Sequence, residues 1–219
     1  DKIHPRKYIE PKDFGRYLIE KIRYLEYGTK RCPAKIREPR FFEFFMRPKI
    51  FINKLGKMQA VLDINSQFIH NESTIGLVLW KDLKDVDNKS ITGSIKKYSV
   101  HSRQEMEKLS AQVNLYYLLS ILNSAYADHL LSIQRGGGAL SIYPEHIRNL
   151  PIPIAPKAEM DALTAYAKRQ LELHAKLKEA KLESEKQSIQ TVIASLDAKI
   201  DEIVYKIYGL SQDEIEQLQ

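Results

Sequence analysis

The sequence predicts an α+β protein: a mixed β-sheet domain over residues 1–156, followed by an antiparallel α-helical hairpin over 157–219. Three observations predict it. Runs rich in β-branched and aromatic residues recur through the first hundred positions, separated by turn signals. Helical spacing takes over near Gln104. Beyond Pro156 the text turns to Ala, Leu, Lys and Glu, with Ile and Leu at heptad steps.

RYLIEKIRYLEY, residues 16–27, is strand-prone with an irregular register. Glu38 and Pro39 have the form of a helix start, with FFEFF as a short apolar face behind them. KIFINKLGKMQAVLDI, from Lys49, reads as two strands joined at Leu55, Gly56 and Lys57. FIHNESTIGLVLW continues the sheet to Trp80, Lys81 to Asn88 is a polar loop, and KKYSVHS at 96–102 is a further short strand. A helix follows from 104, with Leu109, Val113, Tyr116, Tyr117, Leu119 and Leu122 at mixed three- and four-residue spacings. Asn123 and Ser124 are placed to end one helix and begin the next. After three glycines, LPIPIAP suits an edge strand or an extended connector, because proline cannot serve a central strand.

In the last sixty residues Met160, Leu163, Ala167, Leu171, His174 and Leu177 share one helix face. Ile189, Ile193, Leu196, Ile200, Ile203, Ile207 and Leu210 repeat at alternating steps of four and three. Folding the two helices back on each other buries seam against seam, and His174 packs against the partner helix. Gly209 is a C-terminal cap, and Ser211 to Glu214 has capping-box spacing.

The 219 residues supply a core sufficient without disulfides. Cys32, the single cysteine, fits a reducing compartment and a cytoplasmic location. No apolar run approaches the roughly 18 residues of a membrane span, and the start at Asp1 suggests a fragment of a longer protein. The net charge is +6, unevenly spread: residues 1–60 hold 16 Lys or Arg against 7 Asp or Glu, the remainder 18 against 21. Such segregation suits a face lying along a phosphate backbone.

Catalytic motifs are missing from the text: no glycine-rich dinucleotide or phosphate loop, no serine-hydrolase elbow and no zinc pattern. His4, His70, His101, His129, His146 and His174 lack ligand spacing. Glu10 and Lys12 have the E-x-K form of nuclease sites without a preceding acidic ligand. Basic residues do gather beside strands and turns: Arg47 and Lys49 before KIFI, Lys54 and Lys57 around Gly56, Lys96 and Lys97, Arg135 before Gly136, Gly137 and Gly138, and Arg148 before LPIP. Ser141 and Tyr143 complete this candidate DNA-binding set. Arg reads base edges, Lys holds phosphates, and bare glycine amides approach anions closely.

RFFEFFMRPKIFINKLG, YLLSILNS, the glycine loop with IYPEHIRNLPIP, and LDAKIDEIVYKIYGLSQDEI together resemble the C-terminal, Taq-type specificity domain of adenine-specific DNA methyltransferases and type II restriction-modification enzymes. Residues 200–215 are the most specific part, and the resemblance runs from about residue 16 onward. The order of segments is also similar to half of a type I restriction specificity subunit, a target-recognition domain followed by a helical spacer. The resemblance implies a non-catalytic domain that binds double-stranded DNA and directs a methyltransferase domain upstream on the same chain. That partner domain would bind S-adenosylmethionine and methylate a flipped adenine. The chain has no N-P-P-Y motif, and Asn149-Leu-Pro-Ile lacks its aromatic residue. The reading from another class is a protein-interaction module that uses the heptad helices.

Overall fold

The computed structural model describes residues 3–4, 6–26, 28–32, 42–98, 100–136 and 140–218. Four short strands open the chain: β1 (Arg6–Ile9), β2 (Phe14–Gly15), β3 (Leu18–Ile19) and β4 (Arg23–Leu25). The run predicted strand-prone from 16 is cut because the backbone reverses at Arg16 and Tyr17, the latter at φ 62°. Tyr17 tolerates this left-handed conformation with its ring buried and its amide bonded to Ala60 O. The helix start predicted at Glu38 and Pro39 lies outside the described residues, and α1 (Phe42–Phe45) occupies the end of FFEFF.

β5 (Lys49–Asn53) and β6 (Ala60–Asp63) form the antiparallel pair expected around Gly56. The next run divides. β7 (Phe68–His70) leaves to pair in parallel with β1, whereas β8 (Thr74–Leu77) returns antiparallel to β5. Asn71 makes the bend between them, its Oδ1 accepting from Ser73 N and its carbonyl from Thr74 N. The result is a β6-β5-β8 sheet, a β4-β1-β7 sheet and a β2-β3 ribbon.

Residues 96–98 are helical, not the predicted strand: α2 spans Lys89–Tyr98. Asn88 caps it, with Oδ1 accepting from Ile91 N at 3.0 Å. Ile91 and Ile95, four apart, pack with Leu83, Val86, Trp80 and Val78, a helical spacing that overrides the β-like look of the segment. Ser102 and Glu105 then form a capping box for α3 (Arg103–Ser110). The helix expected to run from 104 to 122 is broken, because Asn114 takes Tyr117 N on its side chain and starts α4 (Leu115–Leu122) afresh. Asn123 and Ser124 end α4 and cap α5 (Ala125–Gln134) as expected. A short helix, α6 (Pro144–Arg148), follows the glycine loop, and LPIPIAP is an extended connector without strand partners.

α7 (Lys157–Glu179) and α8 (Glu183–Tyr208) make the predicted antiparallel hairpin. Lys206 pairs with Glu159 at one end while Gln170 bonds Asp197 and Ile193 O further along. Gly209 closes α8 at φ 71°, and Ser211 caps α9 (Gln212–Glu216). His174 lies half-buried with its ring 5.7 Å from that of Tyr17.

The main core begins on the sheet at Ile50, Ile52, Ala60, Leu62 and Ile75. It passes through α4, buried nearly all round, and reaches Leu163 and Ala167 of α7 and Ile200 and Val204 of α8. A second cluster, Ile9, Phe14, Phe51, Val61 and Phe68, covers the other face of β5 and β6. Both faces of β5 are therefore covered, which is why its apolar run does not alternate. Among the described residues no helix is long and apolar enough to cross a membrane.

Candidate nucleic-acid interface

Leaving β5, the chain turns back over Lys54–Gln59, and Asn53 holds that turn shut. Its Nδ2 donates to the carbonyls of Leu55 (2.5 Å) and Lys57 (2.8 Å), and its Oδ1 accepts from Gln59 N at 2.7 Å. Gly56, at φ 81°, takes the left-handed conformation the reversal needs. The first turn of α5 and Asn123, which closes α4, brace the turn from behind. Asp128 Oδ1 accepts from Met58 N at 2.9 Å, and the Asn123 amide bonds both the N–H and the carbonyl of Ala60.

The loop after α5 lies along this turn as a two-stranded ribbon. Leu55 stands opposite Ser141, Gly56 N donates to Leu140 O, and Ile142 N donates to Lys54 O, both at 2.9 Å. Arg135, the C-cap of α5, clasps the ribbon: its Nη1 donates to Gly56 O at 2.8 Å and Leu140 O at 3.3 Å. Lys54 Nζ donates to Glu72 O and ties in the β7–β8 bend. The structure thus brings Lys54, Lys57, Arg135, Gly136, Ser141 and Tyr143 into one cluster of loops. It also exposes two leucines there that sequence reasoning passed over, Leu55 at 63% and Leu140 at 61%, beside Tyr143 at 56%. Their apolar character concealed them: Leu55 reads only as part of the turn at Gly56, and a leucine lacks the charge or hydrogen-bonding groups that mark most DNA contacts.

The other candidates go elsewhere. Lys49 is a correction: it is 0% exposed, with Nζ 2.7 Å from Asp63 Oδ2 and donating to Phe45 O and Arg47 O, so it cannot touch DNA. Burial lowers its pKa, and the adjoining Asp63 carboxylate opposes that shift. Asp63 also accepts from Gln67 N and Phe68 N, so this carboxylate organises the β6–β7 bend. Arg47 sits at the opposite end of β5 from the turn, some 20 Å away at about 3.3 Å per residue, with its Nε buried. Lys96 and Lys97 are exposed, on α2 and not beside a strand. Lys97 and Arg148 line a cleft of about 560 Å³ between β8, α2 and α6, and Lys96 lies on the outer side of α2 near Asn88. Gly136, at φ 65° directly after α5, is a helix-terminating glycine. Gly137 and Gly138 lie outside the described residues.

The remaining polar groups serve the fold. Arg23 forks onto Asp13 at 2.5 and 2.9 Å and holds that carboxyl below its ordinary pKa. Glu10 and Lys12 pair with each other at 3.2 Å beside it. His70 is packed among the rings of Phe44, Phe45 and Phe51, and burial pushes its pKa down to about 4.

The braced turn thus presents Lys57 and the exposed Leu55, Leu140 and Tyr143 on one surface. Compared with known proteins, the chain matches no family profile, and no curated protein is similar to it.

Proposed function

We propose that this chain is a DNA target-recognition module that reads duplex DNA through the β5–β6 turn and the ribbon at 140–142. It would direct a linked, S-adenosylmethionine-dependent adenine methyltransferase domain in the cytoplasm and carry no catalysis itself. The observation that carries the reading is the bracing of the turn: Asn53, Asn123, Asp128 and Arg135 all spend side-chain hydrogen bonds on holding a loop whose outward side chains make little packing. Rigid presentation of exposed side chains is what base reading requires, because contacts must fall within fractions of an ångström. Lys57, exposed and without an ion-pair partner among the described residues, supplies a phosphate contact. Leu55 supplies an apolar surface of the kind that meets a thymine methyl, and Ser141 a hydroxyl for base or backbone. The concentration of basic residues in positions 1–60 and the resemblance of the segments to specificity domains point the same way. The heptad seam, by contrast, is spent inside the chain at Leu196 and Ile200, which leaves little of it for a partner helix.

The test is selection of the full chain against a pool of randomised duplexes. One short sequence should be enriched, and Arg135→Ala, which releases the clasp, should flatten the preference by roughly 1–3 kcal/mol at one or two positions. A pool that emerges without any preferred sequence contradicts the proposal.

A further inference from the structure

The cleft between β8, α2 and α6 lies apart from the braced turn and has the features of a ligand site. Its volume of about 560 Å³ falls inside the usual range for small-molecule pockets. Its walls include two aromatic side chains, Phe44 and Trp80, over an apolar floor from Leu77 and Val78, while Lys97 on α2 and Arg148 on α6 stand at its edge. Phe44 is held by ring contacts with Phe45 and His70, so that wall is fixed.

Gly93 gives the sharper indication. It lies inside α2 and lines the cleft, yet a Cβ added there would meet nothing within 4 Å. Glycine is the least favourable helix-interior residue after proline, and among the described residues no close neighbour requires it at this position. Gly76, on the other side of the same cleft, is different: a Cβ there would strike Phe44 and His70. A glycine that no neighbour demands leaves space for something that is not part of the chain.

We infer that this cleft binds a mononucleotide, the planar base lying against Trp80 and Phe44 and the phosphate reaching Lys97 and Arg148. The chemistry follows from the lining. Aromatic faces stack on any base without sequence preference, and Lys and Arg side chains bind phosphate by charge-assisted hydrogen bonds. The Arg148–Glu145 pair, at 3.6 Å and with both side chains about half exposed, is weak enough for a phosphate to displace. The inference is independent of how the β5–β6 turn acts, since a free nucleotide needs no duplex.

Trp80 is the sole tryptophan of the chain, so its fluorescence reports on this cleft alone. Titration with AMP, GMP, TMP and CMP should give saturable quenching, with inorganic phosphate or the matching nucleosides weaker by about tenfold or more. Lys97→Gln and Arg148→Gln should each weaken the nucleotide while leaving the nucleoside unchanged. Gly93→Ala should move two readouts in opposite directions, raising the melting temperature and weakening the nucleotide by about fivefold or more. Competition with duplexes separates the two sources of such a ligand. A duplex carrying one unpaired nucleotide that displaces AMP better than its fully paired counterpart identifies DNA as the source, and failure of either duplex to displace AMP identifies free nucleotides. Absence of saturation up to about 10 mM, or a Gly93→Ala chain that binds as the parent does, overturns the inference. Loss of DNA selection with nucleotide binding intact would count against the turn and not against the cleft.

Discussion

The Lys49 ammonium is the most demanding single group in the protein. Its three donors are all used, on Asp63, Phe45 O and Arg47 O, within a region from which water is excluded. Lys49→Met should therefore cost about 3 kcal/mol or more, because it leaves the Asp63 carboxylate buried without its counter-charge. Urea unfolding checks this, and a Lys49→Met, Asp63→Asn double variant should recover part of the loss. His70 carries a pH dependence of definite sign. Its Nδ1 donates to Asn71 O at 2.7 Å, leaving Nε2 buried without a partner. With the folded pKa near 4 and an unfolded value near 6.5, the unfolded chain takes up the proton first. Stability is lost as pH falls from 6.5 toward 4, by up to about 3 kcal/mol. A His70→Gln chain should show a shallower fall in melting temperature between pH 7 and 4.5. Neither role was legible in the text, where Lys49 reads as a surface cation ahead of a strand and His70 as an isolated histidine. Both depend on α1 and β7 being brought against the start of β5 and the edge of β8.

Among the elements, the β5–β6 turn and the helical hairpin were legible for the same reason: each is specified by residues close in sequence. Gly56 between two β-rich runs and the heptad steps from Ile189 to Leu210 are local patterns. The ribbon at Leu55 and Ser141 joins segments far apart along the chain, and the clasp by Arg135 has no local signature. α2 shows the opposite case: Lys96, Lys97 and Tyr98 alone read as a strand, and the helix is specified by Ile91 and Ile95 earlier in it. The seam of α8 shows a subtler departure. Val204 is fully buried although it stands outside the heptad steps, since α8 packs on α5 as well as α7 and so buries a wider stripe than a two-helix seam. Ile200→Asp should accordingly unfold the hairpin together with α4 and α5, with a loss of several kcal/mol and of helical circular dichroism. Ile189→Asp, nearer the half-exposed tip, should cost far less. Gly136 belongs at this scale too: its φ of 65° makes Gly136→Ala unfavourable by about 1 kcal/mol through the backbone alone.

Across the described residues, carboxylates from elsewhere in the chain meet part of the positive charge counted in positions 1–60. Lys49 is taken by Asp63, and Arg16 by Asp197 from the far end of the chain. What survives near the turn is Lys57, the partly engaged Lys54 and Arg135, and the exposed leucines between them. Few phosphates are then neutralised, so binding by the isolated chain should be weak and its salt response moderate in slope. Whether this surface lies on DNA is read by fluorescence anisotropy of a labelled 20-base-pair duplex between about 50 and 200 mM salt. Micromolar affinity is expected at the low end, with a linear fall of log affinity with log salt and a slope smaller by about one in Lys57→Gln. Absence of binding at about 50 mM salt, or an affinity indifferent to salt and to Lys57, would contradict contact of this surface with DNA.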